Sequence, residues 1–328
     1  MSTLTDSEQE LVSAIQHAVS AAIEDLEDVS PEYANKTKLQ KLLYLAIDNY
    51  SLPVTYSWYL AGSVVPDDPF TPDDLTAAPS DTVSSKSPSI GHSADDGSVL
   101  SPYTTEEELI SFFKKEIPRL WTQKTNRFLQ NFYQYHAPER YRELYVQCVH
   151  IRAQLKRLTD VVETATRGID IGDDLEEIDR ALGLSISDFH YYLSDLPELE
   201  ETFDPVFEGT ELIEDTMMML TKRSTFTHHH LGSVKALNEF FYYYVWRYPS
   251  LIISAETATG PAAEEIRTSR QREAVGFETR IETEREQLTE QLDQFDLKPT
   301  FADFPSIGET ETNEQLLKAT RLYLEKND

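Results

Sequence analysis

One stretch of apolar residues constrains the fold of this chain more than any other feature. After Pro138, apolar side chains recur at alternating spacings of three and four residues. The positions are Tyr141, Leu144, Cys148, Ile151, Leu155, Leu158, Val162 and Ala165. Residues at this spacing share one face only in an α-helix, so the pattern predicts a helix of more than three heptads. It fits either a long helix in a bundle or a self-associating coiled-coil scaffold.

Helical patterns also occur on both sides of this seam. Residues 5–8 match a capping box that opens an amphipathic helix, and residues 31–50 predict a second helix that Pro53 ends. The β-branched and aromatic residues 54–59 predict a short strand. Further helices are predicted at residues 231–248, 261–296 and 312–325. The predicted fold class is mainly α: a helical bundle containing the long heptad-patterned helix, and a small N-terminal helical unit with a short strand or hairpin.

A change in composition divides the chain into three parts. Residues 67–104 are rich in Pro, Asp, Ser, Thr and Gly, and Lys86 is their only base. Such a segment cannot bury enough apolar surface to offset the entropy of ordering it, so it predicts a disordered linker or insertion. The expected organisation is an N-terminal helical unit at 1–66, this linker at 67–104, and a helical bundle domain at 105–328.

The charge balance describes the surface of the protein. Acidic residues number 58 against 29 basic ones, for a formal net charge of −29, while aromatic residues make up 11% of the chain. The aromatic content favours a folded protein with an acid-coated surface, which is typical of a very salty cytoplasm. At about 1 M salt the Debye length is about 3 Å, so phosphate-driven nucleic-acid affinity is weakened. No apolar run reaches the length of a membrane span, so we expect a cytoplasmic protein without membrane contact.

One segment departs from this acidic character. Residues 119–157 hold eight bases and two acids, interleaved with aromatic residues, whereas residues 167–215 hold sixteen acids and two bases. The basic segment has three interpretations. It pairs internally with the acidic segment, it contacts a partner protein, or it binds nucleic acid through cations and stacked rings.

Residues with reactive side chains give few signals of chemistry. The single cysteine, Cys148, lies on the apolar seam, so we expect a buried thiol rather than a nucleophile. The three consecutive histidines at 228–230 have no Asp, Glu or Cys between Asp215 and Glu239 to complete a metal site. No cofactor or metal is therefore predicted, and no phosphate-loop or dinucleotide motif occurs.

A resemblance to a known family gives the leading functional prediction. The helix "KLQKLLYLA" at residues 38–46 is followed by an aromatic strand and by "YLAGSVVP" at residues 59–66. These motifs resemble the Panacea domain of SocA-type antitoxins, in which a Lys-Leu-Gln-Lys-Leu-Leu-Tyr helix precedes a Gly-Pro-Val-Val-Pro-like turn. Ser63 stands where that family often has Pro. The resemblance implies a helical, non-enzymatic interaction module that binds a partner protein such as a toxin.

The residues of this stretch define a predicted partner-binding site. Its leucines are expected to anchor the helix in the core, leaving Lys38, Lys41 and Tyr44 free to face a partner. Tyr59 completes the set, and Gly62 permits a turn that a β-carbon would not allow. The alternative is that the stretch is only an amphipathic core helix without a binding role.

A second, shorter resemblance supplies an enzymatic alternative. Arg223 and His228 are separated by four residues, which resembles the R-x4-6-H motif of the HEPN ribonucleases. The resemblance implies that Arg223 holds the scissile phosphate while His228 transfers a proton. Ser224 stands where that family usually has Asn, Asp or His. The leading prediction is therefore an antitoxin-like or regulatory adaptor, with an RNA-cleaving enzyme and a self-associating scaffold as alternatives.

Overall fold

The apolar seam forms the central helix of a bundle. In the computed structural model it lies on helix Arg142–Ala165, and all eight seam positions, including the preceding Tyr141, are buried within the monomer. Ile151, Leu155 and Leu158 are fully enclosed, so their side chains are covered by neighbouring helices of the same chain. Of the two interpretations of the seam, the bundle is therefore the one that the structure shows.

The structure describes residues 4–27, 29, 35–66, 99–121, 123–300 and 303. Its N-terminal elements are α1 (Asp6–Glu24), α2 (Lys36–Tyr50), β1 (Ser57–Tyr59), β2 (Gly62–Val64) and α3 (Glu106–Trp121). The bundle follows with α4 (Thr125–His136), α5 (Arg142–Ala165), α6 (Gly172–Ser194), a 3₁₀ turn (Pro197–Thr202) and α7 (Phe203–Thr221). The chain continues with α8 (His228–Phe240), a π turn (Phe241–Val245), α9 (Arg247–Glu256), α10 (Ala263–Ala274) and α11 (Phe277–Gln294). The predicted mainly α fold is confirmed.

The N-terminal helices form a core that extends past the expected domain boundary at residue 105. Helix α1 begins with the predicted capping box, in which Thr5 and Glu8 cap each other's backbone amides. Its apolar face packs with that of α2 and with the buried residues of α3, among them Phe113 and Trp121. Because α3 completes this core, the expected boundary at residue 105 does not separate two cores.

The strand prediction is confirmed in a shorter form. Residues 57–59 pair with residues 62–64 as an antiparallel hairpin, with Trp58 opposite Ser63 and Tyr59 opposite Gly62. Helix α2 is capped by Asn35, whose side chain accepts from the Lys38 amide, so it begins five residues after the predicted start at residue 31.

Two predicted long helices are each divided in the structure. The segment predicted at 231–248 is interrupted by the π turn, in which the Trp246 amide donates to the Phe241 carbonyl. The helix predicted at 261–296 is broken at Gly276, which has a φ of 75°. Glycine adopts this left-handed conformation without a steric penalty, so α10 and α11 meet at a corner. Of the linker predicted at 67–104, residues 67–98 lie outside the described residues, as does the final helix predicted at 312–325. Residues 99–104 are described, and Leu100 is buried in the N-terminal core, so this end of the predicted linker packs against the fold.

The π turn requires a close approach from a neighbouring helix. A β-carbon at Gly209 of α7 would lie 2.5 Å from Cγ2 of Val245 in that turn. Only glycine therefore lets α7 pack this tightly against the π turn.

In the part of the chain that the structure describes, no helix has the length and apolar character needed to span a membrane.

Candidate interaction surface

The two lysines predicted to face a partner are buried. Lys38 Nζ donates to the Trp121 carbonyl at 2.9 Å, and Lys41 Nζ donates to the Ser63 carbonyl at 2.6 Å. Lys41 is fully enclosed and lies 5.6 Å from the centre of the Phe132 ring. The outward orientation predicted for both lysines is therefore wrong. Residues three apart share one side of a helix, and that side of α2 faces α3 and the hairpin instead of solvent.

Tyr44 is likewise internal, at the centre of an aromatic cluster. Its ring packs edge-on against Tyr56, Trp58 and Phe132, with ring centres 5.2, 5.4 and 5.8 Å away. Edge-to-face packing at these distances stabilises aromatic pairs. Burial raises the pKa of the Tyr44 hydroxyl well above its usual value. The predicted exposure of Tyr44 is therefore wrong, because the hairpin and α4 cover it.

Gly62 has the conformation predicted for it. Its φ is 87°, and a β-carbon would lie 2.5 Å from Cε1 of Tyr133. Both the backbone conformation and the contact exclude a side chain, so the glycine allows the hairpin to lie directly on α4.

Tyr59, at the end of strand β1, is half-buried between cationic side chains. The guanidinium carbon of Arg270 lies 3.9 Å from the centre of the Tyr59 ring. Burial raises the pKa of Tyr59, while Arg270 and Arg247 oppose that rise. The ring therefore anchors the hairpin to helices α9 and α10.

Backbone groups of the hairpin are held by the same part of the bundle. The Tyr145 hydroxyl donates to the Tyr59 carbonyl at 3.1 Å, and Trp246 Nε1 donates to the Leu60 carbonyl at 2.8 Å. The Trp58 amide donates to Thr257 Oγ1 at 2.9 Å. The five predicted partner-binding residues thus lie in or beside an internal hub that joins the two cores of the fold.

The residues of the enzymatic alternative have different surroundings. The guanidinium of Arg223 donates to the carbonyls of Phe295, at 3.0 Å, and Asp296, so it satisfies the C-terminal end of α11. His228 is exposed at the first position of α8, whereas His230 is buried and its Nδ1 accepts from the Thr227 amide. The structure gives Arg223 a packing role, and the catalytic role of the pair stays a prediction.

The basic segment pairs in part with the acidic segment that follows it. Arg157 donates to Asp174 at 3.0 Å and to Glu177 at 2.8 Å, and Arg140 forms an ion pair with Glu198. For these two arginines the internal-pairing interpretation is confirmed.

Cys148 is buried as predicted, and burial raises the pKa of its thiol far above the range of a reactive thiolate.

One exposed surface remains from the basic segment. The outward side of α4 and the residue that precedes the helix form a surface that we call the α4 face, which consists of Lys124, Arg127, Asn131, Gln134 and Tyr135. All five are exposed, and Tyr135 exposes 75% of its surface. The Asn131 side chain donates to Gln123 Oε1 at 3.1 Å. Among the described α-helices, α4 is the one that contains no Asp or Glu, and the acid-free stretch extends over residues 117–138.

The sequence contained a signal for this face, although the predicted site lay elsewhere. The charge count over residues 119–157 averages buried and exposed positions of more than one helix. Reading α4 by helical faces separates the buried Phe128, Phe132 and Tyr133 from the exposed polar side. The acid-free helix then differs from the other helices of a chain with a net charge of −29.

Comparison with known proteins places the chain in a family. The family model described as "Domain of unknown function (DUF8098)" matches residues 1–325, so the chain belongs to this family. No curated protein and no solved structure matches it.

Proposed function

We propose that this protein is a non-enzymatic interaction module that binds an acid-coated partner protein through the α4 face. The observation that supports the proposal is an exposed, acid-free helix carrying Lys124, Arg127 and Tyr135 on a protein with a net charge of −29. Tyrosine and arginine are enriched among the residues that dominate binding energy in protein interfaces. Carboxylates of two acidic proteins repel each other where they come into direct contact, and the α4 face lies in a stretch without Asp or Glu.

The chemistry of the face favours a protein over a nucleic acid. Lys124 and Arg127 are its only two cations, so few phosphates can be neutralised and the affinity gained by releasing counterions from a nucleic acid is small. A protein interface can instead gain affinity by covering the ring of Tyr135 and by hydrogen bonds from Asn131 and Gln134. These contacts act at short range and keep their strength when salt screens longer-range attraction.

The resemblance to the Panacea domain is compatible with this proposal in a modified form. An antitoxin-like adaptor needs a rigid scaffold and a surface complementary to its partner, such as a toxin. The motif residues Lys41, Tyr44 and Gly62 contribute the scaffold, since they hold the hairpin against α4. The α4 face, on the other side of the same helix, contributes the surface.

The test compares the wild-type chain with two variants in affinity capture from cells that express it, in about 1 M KCl to match the proposed environment. The double variant Arg127→Glu and Tyr135→Ala changes two exposed side chains of the α4 face. The control variant Lys235→Glu makes a charge reversal on α8, where the side chain is also exposed.

We expect one stoichiometric acidic protein with the wild-type chain and with the Lys235→Glu variant. The same protein should be lost from the double variant, whose far-UV circular dichroism should match that of the wild type. Equal recovery of the partner by all three chains would exclude the α4 face as the binding site. Recovery of RNA in place of a protein would contradict the proposed class of partner.

A further inference from the structure

A groove with a cavity volume of about 430 Å³ lies between the 3₁₀ turn, helix α9 and the corner between α10 and α11. Its floor is apolar and comes from one side of α9, where Leu251, Ile252 and Ala255 recur at helical spacing. Leu251 and Ala255 are buried and Ile252 is partly exposed. The groove is distant in sequence from the α4 face and shares no residue with it.

An exposed apolar side chain extends this floor at one rim. Val275 precedes Gly276, whose positive φ turns the chain from α10 into α11, and it exposes 82% of its surface. The corner holds this side chain in solvent beside the groove. Exposed apolar surface that continues an apolar groove is typical of a docking site.

The groove is also lined by carboxylates whose charge is not balanced. Glu201 and Glu256 are exposed there and make no ion pair within the described residues. The third rim carboxylate, Glu198, is already bound by Arg140 and by the Tyr141 hydroxyl. Among the residues that the structure describes, Arg270 is the one cation that lines the groove, and it donates to Glu273 at 2.9 Å while its guanidinium lies over the Tyr59 ring.

We infer that this groove binds an amphipathic helix of a partner protein that has Lys or Arg along one flank. The apolar side of such a helix would cover Ile252, Ala255 and Val275, and its basic flank would lie against Glu201 and Glu256. Charge complementarity selects this occupant, because a second copy of a chain with a net charge of −29 brings mainly acidic helices. A module with a basic face and an acid-rimmed groove can hold two partners of opposite surface charge.

The inference is independent of the α4 face and can be tested with a synthetic probe. The probe is a fluorescein-labelled helical peptide about five turns long, with leucines at the i, i+3, i+4 and i+7 positions and lysines on one flank. A matched peptide carries glutamates in place of the lysines. Fluorescence anisotropy with the full chain in about 1 M KCl measures the dissociation constant.

We expect the lysine peptide to bind about tenfold or more tightly than the glutamate peptide. Val275→Asp should weaken binding of the lysine peptide by about tenfold, and so should the double variant Glu201→Lys and Glu256→Lys. Two control variants change exposed residues outside the groove. They are Ile169→Asp, in the loop after α5, and Glu211→Lys, on α7. Both controls should bind like the wild type.

Equal binding of the peptide to the wild type and to the Val275→Asp variant would overturn the inference. A benzophenone photocrosslinker at position 275 identifies the occupant directly. A crosslink to the lysine peptide supports the inference. A crosslink confined to residues 304–328 of the same chain, or to a second copy, would overturn it.

Discussion

Lys41 offers a sharp test of the internal hub, because a lysine without solvent contact changes how stability depends on pH. Burial lowers the pKa of Lys41 from 10.5 to about 7. Below pH 7 the side chain is protonated in both the folded and the unfolded state, so the cost of burying its charge is fully present. Between about pH 7 and pH 10.5 mainly the unfolded state binds the proton, so the free energy of unfolding rises with pH.

The size of this effect follows from the two pKa values. Each pKa unit corresponds to about 1.4 kcal/mol, so the whole range from 10.5 to about 7 corresponds to about 5 kcal/mol. Between about pH 6 and pH 8.5 the expected increase in the free energy of unfolding is about 2 kcal/mol. The measurement stops at pH 8.5 because burial raises the pKa of the Cys148 thiol above its usual 9.0. At higher pH the unfolded state loses the thiol proton before the folded state does, which lowers the free energy of unfolding.

Urea unfolding at constant salt measures this increase for the wild type and for the variant Lys41→Met. Burial lowers the pKa of His136, His150, His190 and His230 below the usual 6.5, so they also affect stability near the lower end of this pH range. Both proteins contain them, so the difference between the two proteins isolates Lys41. Lys36→Met is the matched control, because Lys36 lies on the same helix and is exposed. We expect Lys36→Met to show the same pH dependence as the wild type. In Lys41→Met, the increase in the free energy of unfolding between pH 6 and pH 8.5 should be smaller by about 2 kcal/mol. Identical pH dependence in the wild type and Lys41→Met would refute a buried, destabilised ammonium.

Further stability predictions concern the turn of the hairpin and the proposed catalytic pair. Gly62→Ala should lower the free energy of unfolding by about 3 kcal/mol or more. The new β-carbon would overlap the Tyr133 ring, and the positive φ would strain the backbone of an alanine. Gly168→Ala has a similar φ, and no atom of the described residues lies within 4 Å of the new β-carbon, so it should cost only about 1 to 2 kcal/mol in the same urea assay. Arg223→Ala should lower stability by about 1 to 3 kcal/mol by leaving two carbonyls without their donor. His228→Ala should change the thermal midpoint little, and loss of RNA cleavage in both variants would instead support the enzymatic alternative.

The sequence correctly predicted features that depend only on residues close together along the chain. The capping box of α1, the seam of α5 and the turn at Gly62 each follow from local backbone geometry or helical spacing. The burial of Cys148 followed from the same seam. Such features need no knowledge of what covers the helix, because the apolar side of an amphipathic helix must be buried against some partner.

The sequence did not predict which polar side chains are buried. Lys38 and Lys41 lie off the leucine face of α2, and the spacing alone assigns them to solvent. In the fold, α3 and the hairpin cover that side as well, and each ammonium donates to a backbone carbonyl more than twenty residues away. Long-range hydrogen bonds of this kind leave no periodic signal.

The sequence alone therefore determined that the chain is mainly helical, where its central helix runs, and which stretch forms the small hairpin. Only the tertiary structure decided that residues 38–66 form an internal hub, and that the α4 face and Val275 beside the groove are exposed. The physical reason is that helix propensity and apolar spacing act within one segment, whereas exposure is set by the packing of segments distant in the chain.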